Sequence, residues 1–142
     1  MFYGYHPSQK HSQEAREIIA RKFGSGVIIM SETEEGDLPV LRKLKEQIRS
    51  GDTVIFEDIT HMSPDAAGCF HDYSELYGSG VDLVFLNQRY LDTEELTLTA
   101  RRLLASAKID RNLLQADITG HLLRITELLI RDAYEQSMSG AS

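Results

Sequence analysis

Hydrophobic residues along the chain form four short runs, separated by longer segments in which they recur every three or four positions. β-Branched and aromatic residues dominate the short runs, which is typical of strands. The predicted strands are 2–5, 27–30, 53–58 and 81–86, and the predicted helices between and after them are 12–23, 38–49, 64–77 and 94–107. This alternation predicts an α/β domain with a mainly parallel sheet of four or five strands, flanked by helices. Ser12 and Ser63 are the predicted helix caps, the latter followed by Pro64 at the first helical position.

A long helix is predicted at 119–137, with Asp117 or Thr119 as its cap, after an α/β domain at 1–118. Residues 138–142 are predicted to be a frayed tail. The hydrophobic residues of this helix form two adjacent stripes, of which one would cover the chain's own sheet and the other would meet a partner chain. We therefore expect a homo-oligomer, a dimer or a tetramer. The predicted interface residues are Leu122, Leu123, Ile125, Leu129, Ile130 and Tyr134.

Charge is unevenly distributed along the chain, whose net charge is −7. Residues 1–100 contain 9 Lys/Arg against 17 Asp/Glu, whereas residues 101–142 contain 6 against 5. Because affinity for a nucleic-acid backbone comes mainly from Lys/Arg, the N-terminal part is expected to bind DNA poorly by itself. The single cysteine, Cys69, excludes an internal disulfide framework and is expected in the core. With no signal peptide and no long apolar run, a cytoplasmic protein without membrane contact is expected.

Five segments follow one another in a recognisable order: YGYHPSQ at 3–9, DLPVL at 37–41, GDTVIFED at 51–58, ITHMSPD at 59–65 and SGVDLVFLN at 79–87. They resemble the N-terminal catalytic domain of the serine recombinases, the resolvase/invertase group. Members carry YGYARVS, DRPEL and LDRLGRD at the first, second and fourth of these places. The resemblance implies a resolvase-like three-layer fold with a long C-terminal oligomerisation helix. It also implies a link to DNA recombination and an origin in a mobile element or phage.

Serine recombinases attack a DNA phosphate with a serine hydroxyl, and a cluster of arginines stabilises the charge of the transition state. The resemblance places four of these arginines at Pro7, Leu38, His61 and Pro64, so none is retained. One supporting arginine can be worth about 10³–10⁵ in the rate of phosphoryl transfer. The sequence therefore predicts a degenerate member that lacks useful strand cleavage.

Ser8 is the candidate nucleophile, although an ungapped count from Tyr5 puts Gln9 at the position of the family's serine. Ser8 reaches that position only if one residue is deleted from the turn. The alternative is that its hydroxyl bonds nearby backbone. His6, Lys10 and His61 are weak candidates to replace the charge of the missing arginines.

His6 and His61 follow the first and third predicted strands, and the carboxyl ends of parallel strands share one edge of a sheet. With Asp58 or Asp65 they could bind a metal ion. The spacing matches no standard ligand motif, so we predict no metal and no cofactor. The acidic run at 31–37 is expected to be a solvated loop.

Three functional hypotheses are compatible with these residues. The preferred one is a catalytically inactive resolvase-like module for oligomerisation or regulation, which pairs with itself, with an active recombinase or with DNA. The alternative is an active or partly active site-specific recombinase in which Ser8 cleaves DNA. The third is an unrelated small-molecule site at the strand ends, although the chain contains neither GxGxxG nor GxxxxGK[ST].

Overall fold

A computed structural model describes residues 1–7, 12–24, 26–32, 38–106 and 111–140. Within the helices, the side chains of 12–16, 103, 104, 106, 111–119 and 140 are not described. The elements are β1 Phe2–His6, α1 Ser12–Phe23, β2 Ile28–Ser31, α2 Pro39–Gln47, β3 Thr53–Phe56, α3 Ala66–Gly78, β4 Asp82–Phe85, α4 Thr93–Ser106 and α5 Arg111–Gly140. Strands and helices alternate up to α4, and α5 follows α4 without an intervening strand; two single 3-10 turns lie at Ile59–His61 and Arg89–Leu91.

The four described strands form one parallel sheet in the order β2-β1-β3-β4. The predicted α/β class and the parallel sheet are therefore confirmed. β1 lies inside the sheet between β2 and β3, and its residues 3–6 are all buried. This burial on both faces explains why the strands are largely apolar rather than alternating with polar residues.

The main core lies on one face of the sheet. Its largest row is aromatic, because Tyr5, Phe56 and Phe85 occupy matching positions on β1, β3 and β4. The Tyr5 and Phe56 ring centroids are 5.9 Å apart, and those of Phe56 and Phe85 are 5.7 Å apart. Helices α2 and α3 supply Leu41, Leu44, Cys69 and Tyr73 to this core. The placement of Cys69 in the core is confirmed, since it is fully buried.

Helix α1 approaches the opposite face of the sheet closely at Gly4. A Cβ atom added to Gly4 would lie 2.8 Å from Cδ1 of Ile19 on α1 and 2.9 Å from Cδ1 of Ile29 on β2. Distances this short are repulsive, so glycine is what allows α1 to pack so near β1. A side chain here would force the Ile19 and Ile29 side chains to move.

Strand β4 lies at the edge of the sheet, but its outward N–H groups are occupied. The backbone N–H of Phe85 donates to Oδ1 of Asp92 at 2.8 Å, and that of Leu83 donates to Oγ1 of Thr93 at 2.9 Å. These side chains from the start of α4 replace a neighbouring strand. The edge is thereby blocked against pairing with another chain.

The last helix is longer than predicted. It begins at Arg111 instead of 119, so the expected domain boundary at 118 lies inside the helix. It also continues through 138–140, which belong to the expected frayed tail. Asp117 and Thr119 are therefore within the helix and do not cap it; a preference for cap positions is a weak signal that packing overrides. Near its end, Ser137 Oγ donates to Asp58 at 2.7 Å and fixes the last turns. Among the described residues, every helix is too short or too polar to span a bilayer.

Helix α3 begins two residues later than predicted, and its cap is a different residue. Asp65 is the N-cap and its Oδ1 accepts from the backbone N–H of Gly68 at 2.6 Å, so Pro64 precedes the helix. Ser63, the predicted cap, is buried, and its carbonyl accepts from the hydroxyl of Tyr134 at 2.8 Å. Asp is as good a cap as Ser, and the contact with α5 decides between them.

The expectation of a solvated loop at 31–37 is wrong at Glu32, which is buried, with 2% of the residue exposed. Residues 33–37 lie outside the described residues. The carboxylate of Glu32 accepts from the N–H groups of Val40 (3.0 Å) and Leu41 (2.9 Å) and from the hydroxyl of Tyr5 (2.7 Å). Leu38, which precedes α2, has φ 50° and offers no capping side chain. Glu32 therefore caps α2 from the end of β2.

We expect Glu32→Ala to lower the free energy of unfolding by about 2–3 kcal/mol, because the helix loses its cap and buried donors lose a charged acceptor. Urea denaturation measures the change. Glu46→Ala, at an exposed position of the same helix, should change it by no more than about 0.5 kcal/mol. Equal effects of the two substitutions would contradict the capping role.

Candidate functional site

The candidate site lies where β1 and β3 end. Tyr5 is paired in register with Phe56, so the next residues along the two strands, His6 and Glu57, also stand side by side. Residues that alternate along a strand point to opposite faces, so this pair projects away from the aromatic row. The 3-10 turn that follows β3 ends at His61 and returns its imidazole towards the same place.

Three side chains meet there. His6 is 5% exposed, and its Nε2 lies 2.8 Å from Oε2 of Glu57, whose side chain is 34% exposed. The rings of His6 and His61 meet edge to face, with centroids 5.0 Å apart. The expectation that the two histidines lie near each other is confirmed, whereas their roles stay predictions.

The His61 ring is set in surroundings that disfavour its charged form. Burial, and after it the neighbouring His6, lower the pKa of His61, while Asp58 and Glu57 act in the opposite direction with less effect. The imidazole is therefore neutral at pH 7. Its Nδ1 is buried and has no hydrogen-bond partner among the described residues.

Asp58, next to Glu57, accepts five hydrogen bonds. Thr60 donates its hydroxyl (2.6 Å) and its backbone N–H (3.0 Å). Asn87, Gln88 and Ser137 donate side-chain groups at 3.0, 2.8 and 2.7 Å. Burial would raise the pKa of Asp58, but these side-chain hydrogen bonds outweigh it and hold the pKa far below its usual range. Asp58 therefore stays ionised and is used for structure.

The described residues contain two groups of three metal-binding side chains whose ligand atoms lie within 4.8 Å of one another. The first is His6, Glu57 and His61. The second is His71, Asp72 and Glu75 on the surface of α3. The first includes the predicted histidines, but its acid is neither Asp58 nor Asp65, which are occupied by the hydrogen bonds above. The sequence analysis missed Glu57, because the predicted strand 53–58 includes it and the register that brings it beside His6 is visible only in the structure.

None of the four residues at the positions of the family's arginines brings positive charge to this edge at pH 7. Pro7 and Pro64 are uncharged, His61 is neutral, and Leu38 packs against the main core. Glu57 and Asp58 form no ion pair with Lys or Arg in the described part of the chain. Ser8 and Lys10, the remaining candidates, lie outside the described residues, as do the contacts they make.

The stripes of α5 divide differently from the prediction. Ile130 and Tyr134 belong to the chain's own core, and Leu122 is also buried. Ile125 and Leu129 are 40% and 41% exposed, and Leu123 is partly buried. Leu128, which is 68% exposed, is absent from the prediction because its position belongs to neither stripe. We call Ile125, Leu128 and Leu129 the outer stripe.

Comparison with known proteins finds a likeness in fold without a likeness in sequence. No family model and no curated protein matches the chain. Among solved structures, the N-terminal catalytic domain of TP901-1 integrase, a serine integrase, matches with a TM-score of 0.50 and 12% identity, over 96% of this chain and 97% of that one. The chain has a serine recombinase-like fold. At this identity the comparison supports the architecture alone.

We expect Asp58→Asn to lower the free energy of unfolding at pH 7 by at least about 2 kcal/mol, because a donor amide replaces an acceptor among five donors. The pKa of Asp58 is lower in the folded state, so the carboxylate contributes stability above its unfolded pKa near 4 and loses it as the pH falls towards the folded value. Urea denaturation at pH 7 and at steps below pH 4 measures both effects. The wild type should lose more stability over this range than the variant. Glu135→Gln, on the exposed side of α5, should match the wild type throughout, and a parallel pH response of Asp58→Asn would contradict the role of this carboxylate.

Proposed function

We propose that this chain is a degenerate serine-recombinase domain, without strand-cleavage activity, that acts as an oligomerisation or regulatory module. The observation that carries the proposal is the composition of the edge where β1 and β3 end. A hydrogen-bonded histidine and carboxylate, a neutral histidine and a structural aspartate occupy it. Transfer of a phosphoryl group needs positive charge at this place.

Electrostatics supports the same proposal. A DNA phosphate that approached this edge would meet the carboxylates of Glu57 and Asp58, with no Lys or Arg paired to them in the described residues. The excess of acidic residues over 1–100 adds repulsion at longer range. Arg101 and Arg102 on α4 are exposed and offer a local basic patch, but one much smaller than the acidic excess.

The oligomerisation part of the proposal depends on the outer stripe. Three large aliphatic side chains stand within five positions of α5, all exposed, while the opposite side of the helix packs on the core. A leucine buried at an interface contributes about 1.5–3 kcal/mol. The partner that the proposal names is a second copy of this chain, whose α5 would present the same stripe across a twofold axis.

For catalysis, we expect the full chain to form no covalent adduct with supercoiled plasmid DNA and to nick none of it. Ser8→Ala and the wild type should be indistinguishable in denaturing gels and plasmid relaxation. Ser79→Ala, which removes an exposed hydroxyl after α3, is the matched control. An adduct that is lost in Ser8→Ala and kept in Ser79→Ala would establish the active alternative.

For DNA binding, we expect no saturable increase in the fluorescence anisotropy of labelled duplex DNA, even at low salt. The acidic surface gives little counterion release, which drives association with a phosphate backbone. Saturable binding that weakens steeply with added salt would contradict this expectation and reveal a phosphate-contacting surface.

For self-association, we expect a mass of about twice the 16.0 kDa of one chain by light scattering coupled to gel filtration. Leu128→Glu should weaken the dimer at least about tenfold, because a charge replaces a buried leucine. Met138→Glu adds the same charge at another exposed hydrophobic residue, about 15 Å further along α5, and should not weaken it. A wild type that is monomeric at every concentration would overturn this part of the proposal.

A further inference from the structure

We propose that His6, Glu57 and His61 form a binding site for one divalent transition-metal ion, with Zn²⁺ as the best-suited ion. Two imidazoles and one carboxylate are a ligand set that Zn²⁺ accepts, and three protein ligands leave a fourth position for water or an anionic group. The inference goes beyond the proposed function but bears on it, because a bound divalent ion would bring positive charge to an edge where the described side chains supply none. Metal binding is therefore measured separately from DNA cleavage.

The spacing of the ligand atoms fits a single ion. They lie within 4.8 Å of one another, and the closest pair, His6 Nε2 and Glu57 Oε2, is 2.8 Å apart. A tetrahedral Zn²⁺ site with bonds of about 2.0–2.2 Å separates its ligand atoms by about 3.4 Å. Small side-chain rotations therefore convert the present arrangement into a coordinated one, without movement of the strands.

The three ligands are held by rigid elements. His6 is the last residue of β1, and Glu57 directly follows β3, its neighbour in the sheet. Asp58 accepts from Thr60 within the turn that leads to His61, so the third ligand is positioned by the same carboxylate that anchors α5. Metal sites depend on such supporting hydrogen bonds to orient their ligands.

A second, independent observation is the buried Nδ1 of His61, which has no hydrogen-bond partner in the described residues. A buried polar nitrogen without a partner is costly, and native proteins rarely keep one without a reason. A metal ion bound to one nitrogen of the ring removes this cost, with solvent or a rotation of the ring giving the other nitrogen a partner.

The other group of metal-binding side chains serves as an internal comparison. The side chains of His71 and Glu75 are 72% and 69% exposed, and Asp72 is already paired with Lys45 at 2.5 Å. Exposed ligands lose more side-chain freedom on binding, and an existing ion pair competes with the metal. The site between β1 and β3 should therefore bind an ion more tightly than the surface of α3.

The first experiment is calorimetric titration of the chelator-treated full chain with Zn²⁺. We expect one equivalent to bind, and Glu57→Gln and His61→Asn each to weaken binding at least about tenfold. His71→Asn, the matched control in the exposed group, should leave the affinity unchanged. Circular dichroism shows that each variant is folded before titration. Absence of saturable binding, or weakening by His71→Asn and not by His61→Asn, would overturn the proposal.

A second experiment uses the wild type alone, so it does not depend on how the variants fold. Crystals grown with Zn²⁺ should show an anomalous difference peak about 2.0–2.2 Å from one atom each of His6, Glu57 and His61. A peak at His71 and Glu75 alone, or at a contact between molecules, would contradict the proposal, as would none.

Discussion

The hydrogen bonds to the carboxylate of Asp58 hold both the candidate site and α5 in place. Its five hydrogen bonds join the end of β3, the 3-10 turn, the segment after β4 and the last turns of α5. A charge this well solvated by protein donors can remain buried, whereas the same charge without them would not. One residue therefore fixes the position of His61, the segment that follows β4 and the packing of α5.

The same edge shows that the charged groups of a site are separate from the elements that build the fold. The four positions where the resemblance implies arginine lie in connections that follow strands, and none belongs to a strand. Side chains at these positions can therefore differ without a change in the parallel sheet or its aromatic row. Fold and function are separable for this reason. The charged side chains at the end of the sheet are better evidence of activity than the arrangement of helices and strands.

Much of the architecture could be predicted from hydrophobic pattern, because buried strands and amphipathic helices are local and periodic. The errors occurred where a distant partner decides. Glu32 belongs to an acidic run, but the N-terminus of α2 recruits it as a cap. Ile130 was assigned to a partner because its stripe seemed surplus, whereas the chain's own core receives it. Glu57 was missed as a companion of His6 because strand register, which makes them neighbours, cannot be read from spacing along the chain.

The bonds of α5 to the rest of the chain also constrain the order of events during synthesis. Ser137 reaches Asp58 across 79 residues, and Tyr134 reaches Ser63 across 71. Contacts so distant in sequence form late, since a long loop must close before they contribute. While the last helix is still inside the ribosome, Asp58 lacks one of its donors and the core lacks Ile130 and Tyr134. The nascent sheet therefore has an interval in which apolar surface is open to chaperones, and that interval ends only when α5 emerges.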